Sequence, residues 1–107
     1  MATKIRYLGV AAFEITNSDG VVALVDPYID ENVASPIKTS DLKRVDLILV
    51  THGASDHLGD TAKLSKRFNA PIVCGPDVKA HLVREGVQAD RISATIWGLV
   101  LDVAGMR

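Results

Sequence analysis

The order of apolar and polar positions divides this chain into short segments. From Lys4 to Leu8 charged and apolar residues alternate, and Ala12 to Thr16 sets Phe13 and Ile15 on one face. Both segments are predicted strands of an antiparallel sheet, because side chains on a strand point alternately to its two faces. Asn17-Ser18-Asp19-Gly20 is a turn cluster. Val21 to Val25 is an unbroken apolar run, as expected of a central strand, and Asp26-Pro27 ends it because proline has no N–H for the ladder. Tyr28 to Asp46 has weak periodicity and is predicted to be a loop with one helical turn after Ser40. Leu47-Ile48-Leu49-Val50 is again continuously apolar, the pattern of a strand buried on both faces.

The second half reads as α/β. Thr61, Leu64 and Phe68 fall at helical spacing, with Asp60 placed to cap the first turn through its carboxylate and Asn69 to stop the helix in a left-handed conformation. Pro71 to Cys74 is a short strand. Pro76 opens a second helix, Val78 and Leu82 form its inner stripe, and Gly86 ends it. Ile96 to Val103 is strongly apolar and is predicted to be a further strand, followed by a tight turn at Ala104-Gly105 and the start of a returning strand at Met106-Arg107. A hairpin with one arm is not a stable ending.

Between the Leu47–Val50 strand and the first helix lies Thr51-His52-Gly53-Ala54-Ser55-Asp56-His57-Leu58-Gly59-Asp60. Imidazole and carboxylate groups are concentrated nowhere else in the chain. His52, Asp56 and His57 are donors suited to a divalent metal: zinc first, with manganese or iron as alternatives. Gly53 and Gly59 let the loop fold tightly. Ser55 directly precedes Asp56 and His57, and adjacent residues cannot form a nucleophile–base–orienter triad, which excludes serine hydrolase chemistry.

This stretch resembles the metal-binding signature of the metallo-β-lactamase superfamily, His-x-His-x-Asp-His followed by Leu-Gly-Asp. His52, Asp56 and His57 stand at the first histidine, the aspartate and the last histidine, while Ala54 stands where the family has its second histidine. Asp26 is similar to the aspartate that ends an earlier strand in many members, and Tyr7 to Ile15 resembles the opening of the ascorbate-phosphate-lactonase-like branch. The resemblance implies the N-terminal half of an αββα sandwich: a mostly antiparallel mixed sheet with two helices on one face. Residues 1–107 would then form a partial domain, cut at a hairpin, with the remaining metal ligands in the absent half. It further implies a hydrolase that opens a lactone, ester or phosphoester through metal-bound hydroxide. His52 would serve one metal site, and Asp56 and His57 a second, with Asp56 also the catalytic base. Asp26, Thr51 and Asp60 would act around the ligands. With Ala54 and the missing half, the isolated chain would be weakly active or inactive.

Composition narrows the alternatives. A net charge of −1 gives no electrostatic case for nucleic acid. No apolar stretch approaches the roughly 18 residues that a membrane span needs. A single cysteine, Cys74, excludes an intrachain disulfide, and a cytoplasmic protein is expected. The hydrophobic share of 48% is high for so small a chain and suggests a face that meets a partner: a second copy or the missing C-terminal half. The competing reading is therefore a catalytically inactive family member acting as an interaction or oligomerisation module, or simply a fragment of a longer enzyme. Four further residues read as structural. Cys74 is expected to be an inert core thiol, Trp97 a packing residue, His81 a part-exposed residue without an acidic partner, and Lys63, Lys66 and Arg67 a solvated helix face.

Overall fold

The structure, a computed structural model, describes residues 2–107. Six strands form one mixed sheet in the order of the sequence: β1 (Lys4–Gly9), β2 (Ala12–Thr16), β3 (Val22–Val25), β4 (Leu47–Leu49), β5 (Ile72–Cys74) and β6 (Ile92–Ala94). Three helices interleave with the later strands: the single turn α1 (Ser55–Leu58), then α2 (Thr61–Phe68) and α3 (Pro76–Arg84). β1–β2 and β2–β3 are antiparallel, while β3–β4, β4–β5 and β5–β6 are parallel. Antiparallel pairing is thus confined to the first three strands, and β4 to β6 are joined by the helical crossovers that parallel strands require.

Leu24, Ile48 and Ile72 are fully buried and share one core cluster with Leu64 of α2 and Val78 and Leu82 of α3. Their neighbours in the alternation, Ala23, Leu47, Leu49 and Val73, face the other side of the sheet, where Leu99, Leu101 and Val103 lie over them. Both faces being apolar explains the unbroken runs in β3 and β4. Asn69 takes the left-handed conformation (φ 54°) that ends α2, and Pro76 stands in the first turn of α3. Among the described residues no helix is long and apolar enough to cross a membrane.

The predicted strand over Ile96 to Val103 is not one. Pairing stops after Thr95, whose N–H donates to the Cys74 carbonyl (2.8 Å), and Gly98 turns the chain at φ 84°. The run is apolar because part of it covers the sheet, while Trp97 stands fully exposed instead of packed. The turn at Ala104-Gly105 forms as expected, with Val103 and Met106 exchanging backbone hydrogen bonds of 2.9 Å.

Asp60 also differs from expectation. Its carboxylate makes no cap hydrogen bond to α2. It reaches across to the early loop and accepts from the backbone N–H groups of Ile29 (3.0 Å) and Asp30 (2.9 Å). The supposed solvated face of α2 is engaged too, with Lys63 and Arg67 on the early loop and Lys66 on the end of α3. Lys63 pairs with Asp30, Lys66 donates to the Glu85 carbonyl (2.6 Å), and Arg67 donates to the carbonyls of Thr39 (2.8 Å) and Leu42 (3.1 Å).

Partial burial alone would raise the Asp30 carboxyl, but hydrogen bonds from Lys63 and Thr39 outweigh it and hold the group at about 2, against an ordinary 3.8. A carboxyl whose folded value is depressed stabilises the fold above its unfolded value and loses that contribution as pH falls through the folded one. Lowering the pH from about 5 to about 2 should therefore shift the urea midpoint further in the wild type than in Asp30→Asn, which has no such carboxylate to protonate. Parallel pH profiles would show that Asp30 carries none of the acid sensitivity.

Candidate metal centre

Two loops meet at the carboxyl ends of β3 and β4, where ligand sites of open α/β sheets are usually built. The first begins at Asp26, buried and left-handed (φ 46°), whose N–H still donates to the Leu49 carbonyl at 2.9 Å. The second begins at Thr51. Gly59 seats the second loop against the first: a Cβ there would lie 2.4 Å from the Cα of Tyr28 and 2.6 Å from the carbonyl oxygen of Pro27. The Asp60 N–H donates to that same oxygen at 2.9 Å.

Asp26 is the hub of the meeting. Its Oδ1 accepts from the Thr51 N–H (2.8 Å), and its Oδ2 accepts from the Thr51 hydroxyl (2.6 Å). The same Oδ2 lies 2.8 Å from His57 Nδ1. Thr51 Oγ1 is also 2.9 Å from His52 Nδ1. A carboxylate only accepts, so His57 Nδ1 must carry the proton. The Thr51 hydroxyl has one proton, already given to Asp26, so it accepts from His52 Nδ1, which must carry a proton too. The hydrogen-bond network therefore assigns both rings the same tautomer in their neutral form, with the Nε2 lone pair unprotonated. Carboxylate support of this kind orients metal-binding histidines and raises their basicity.

The two rings lie side by side, centroids 4.1 Å apart. Asp26, His52 and His57 each offer a ligand atom within 4.8 Å of the others. Both Asp26 oxygens already accept hydrogen bonds on the Nδ1 side, so the donors that suit a divalent ion of the zinc type are the two Nε2 atoms, with Asp26 behind the rings. Asp56 stands apart from this trio. It lies on α1 with its side chain 54% exposed, and its Oδ1 is 3.7 Å from His57 Nε2, on the open side of that ring. Ala54 precedes α1, and its carbonyl accepts from the N–H groups of His57 (2.9 Å) and Leu58 (2.8 Å).

A cavity of about 440 Å³ opens beside His52, between the ends of β4 and β5, the start of α3 and Trp97. A larger one, about 520 Å³, lies on the far side of the loop between Tyr28, Ser55 and His81. Neither His52 nor His57 lines it, and of the two only His52 lines the smaller one. His81 does have an acidic partner, contrary to the sequence reading: its Nε2 is 2.7 Å from Glu85 Oε1, an i,i+4 spacing that was visible in the sequence. Cys74 is buried as expected. Burial first, and the Asp77 carboxylate second, push its thiol up to about 11, which leaves it inert at neutral pH.

Comparison with known proteins gives the family and the fold. Residues 22–104 match the model of the beta-lactamase superfamily domain. This chain belongs to the beta-lactamase superfamily. Its superfamily relatives include UPF0173 metal-dependent hydrolases from Koribacter versatilis (38% identical, covering 79% of this chain and 36% of the relative) and Archaeoglobus fulgidus (45%, 79% and 36%). A third, from Thermofilum pendens, is 43% identical over 89% of this chain and 43% of its own length. Among solved structures, the metallo hydrolase Igni18 from Ignicoccus hospitalis superposes with a TM-score of 0.78 at 28% identity, over 92% of this chain and 41% of that one. The chain thus spans less than half the length of these superfamily members.

Proposed function

We propose that this chain carries part of the catalytic centre of a metal-dependent hydrolase acting on a small-molecule lactone, ester or phosphoester. The observation that supports it best is the shared tautomer of His52 and His57: Asp26 and Thr51 occupy both Nδ1 atoms, and both Nε2 atoms are left for an ion. Zinc suits this donor set, and manganese or iron are the alternatives. When bound, such an ion polarises the scissile group and brings a coordinated water within reach of ionisation near neutral pH. His52 and His57 would hold it, Asp56 would take the proton from the attacking water, and Asp26 and Thr51 would keep the rings in place. Asp60 would hold the two loops together.

Active zinc centres usually take three protein ligands and keep one position open. Residues 1–107 are read here as one part of a domain, and the remaining donors would come from a segment equivalent to the rest of the relatives' length. The test is zinc titration of the wild type and of Ala54→His. An added imidazole at position 54 should tighten binding roughly tenfold or more, since even loss of an outer hydrogen-bond partner commonly changes metal affinity that much. Unchanged affinity would mean that the loop does not curl around an ion.

A second reading is favoured by the sheet face opposite the helices. It is apolar, no helix covers it among the described residues, and Ile5 and Tyr7 are 67% and 57% exposed. On this reading the face receives the second half of the domain or another copy of the chain, and the protein serves as an interaction module.

A further inference from the structure

The two imidazoles of the metal loop form a pair of donors at the surface. Their Nδ1 atoms are engaged by Thr51 and Asp26, which leaves both Nε2 atoms free. His52 is exposed, the His57 side chain is partly so, and the rings lie side by side. A closed tetrahedral zinc site takes four such donors. One copy of the pair supplies half of that number, and a two-fold axis through the ion supplies the rest.

The surroundings of the pair suit such a joint. On one side, Ile96 and the fully exposed Trp97 share a cavity with His52, and Leu99 and Val100 continue the exposed apolar stretch. An exposed tryptophan next to a ligand pair is the kind of side chain that anchors an interface. On the other side, Asp56 is half exposed, with its Oδ1 3.7 Å from His57 Nε2. Neutral imidazoles leave the two positive charges of zinc uncompensated, and one Asp56 carboxylate from each copy balances them.

We propose that zinc joins two copies of this chain, with His52 and His57 of each copy on one shared ion and the stretch from Ile96 to Val100 of each packed against the other. This rests on the metal-centre reading. The donors read above as coming from a further segment come from a second copy when residues 1–107 stand alone. One patch meets itself about the axis, so the assembly closes at two copies. Coordination bonds hold the joint, and its contact area can stay below the roughly 1,200–2,000 Å² of ordinary stable interfaces. An ion enclosed in this way keeps no open position for water, so the pair is catalytically silent.

The full chain, first freed of metal, is followed by sedimentation velocity as zinc is added, and calorimetry gives the stoichiometry. Monomers are expected with chelator, then saturation at one zinc per two chains with a doubled molar mass. Trp97 is the chain's single tryptophan, and its fluorescence should shift to the blue as the mass rises. His52→Ala, at an exposed position, should stay monomeric at every zinc level, while His81→Ala, outside the site, should dimerise like the wild type. Trp97→Ala should raise the dimer dissociation constant about tenfold, a loss typical of a tryptophan at the centre of an interface. One zinc per chain on a monomer overturns this inference and leaves the metal-centre reading standing. Absence of zinc binding overturns both. A dimer that forms in chelator, that His52→Ala retains or that Trp97→Ala leaves equally tight would also overturn the proposal.

Discussion

Asp26→Asn should lower zinc affinity by about 10- to 100-fold, while costing only about 1 kcal/mol of stability. Asparagine tolerates the left-handed backbone of position 26 and keeps an oxygen for the Thr51 N–H. Its amide NH₂, however, would face His57 Nδ1, where the native chain presents an acceptor. That ring nitrogen must then accept, its proton moves to Nε2, and the lone pair proposed to hold the ion is lost. Asp26→Ala is the contrasting variant. It leaves the Thr51 N–H, the Thr51 hydroxyl and His57 Nδ1 without their shared acceptor at a site only 2% exposed, and should cost about 2–4 kcal/mol. Nitrogen NMR of the histidine rings separates the two effects. In Asp26→Asn the tautomer of His57 should switch while the denaturation midpoint moves little. A variant that keeps both the native tautomer and full zinc affinity would show that Asp26 merely fills space.

The second large effect is expected at Gly59. Gly59→Ala should destabilise the chain by roughly 3 kcal/mol or more, a large part of the stability of a small domain. Two penalties combine there. The backbone holds φ 46° and ψ −122°, which L-residues avoid, and the new methyl would sit 2.4 Å from the Tyr28 Cα. The atoms it meets are main chain of the loop bearing Asp26, so they cannot move aside without opening the proposed metal centre. Gly20→Ala is the matched control. Gly20 also has positive φ (83°), but its nearest neighbour would be the end of Arg44 at 3.6 Å, so only the backbone penalty of about 1–2 kcal/mol applies. Urea midpoints of the two variants give the difference, and similar values for both would mean that the two loops are not held against each other.

Local chemistry made much of this molecule legible. The apolar runs of β3 and β4, the left-handed stop at Asn69, the proline start of α3 and the turn at Ala104-Gly105 follow from residue type and spacing, and all are present. Other features depend on what the chain meets far away. Asp60 stands where helix caps stand, but the backbone of Ile29 and Asp30, some thirty residues upstream, offers its carboxylate two free donors. Lys63 is drawn to the same place by Asp30. The apolar stretch from Ile96 has the composition of a strand, yet an apolar segment can cover a sheet as readily as join it, and Gly98 turns it away. β6 itself carries one buried apolar residue, Ile92, in three positions, too weak a pattern to stand out. In the metal loop the residue types were plain in the sequence. The assignment of protons to the two rings was not, because it rests on a carboxylate 31 positions before His57.

Zinc soaked into crystals and located by anomalous scattering tests the centre of this account most directly. A peak about 2.0–2.1 Å from Nε2 of both His52 and His57, with Asp26 still bonded to Nδ1 of His57, is the expected result. A bound ion that leaves these two nitrogens free, or imidazoles turned so that their Nε2 atoms diverge, would contradict it.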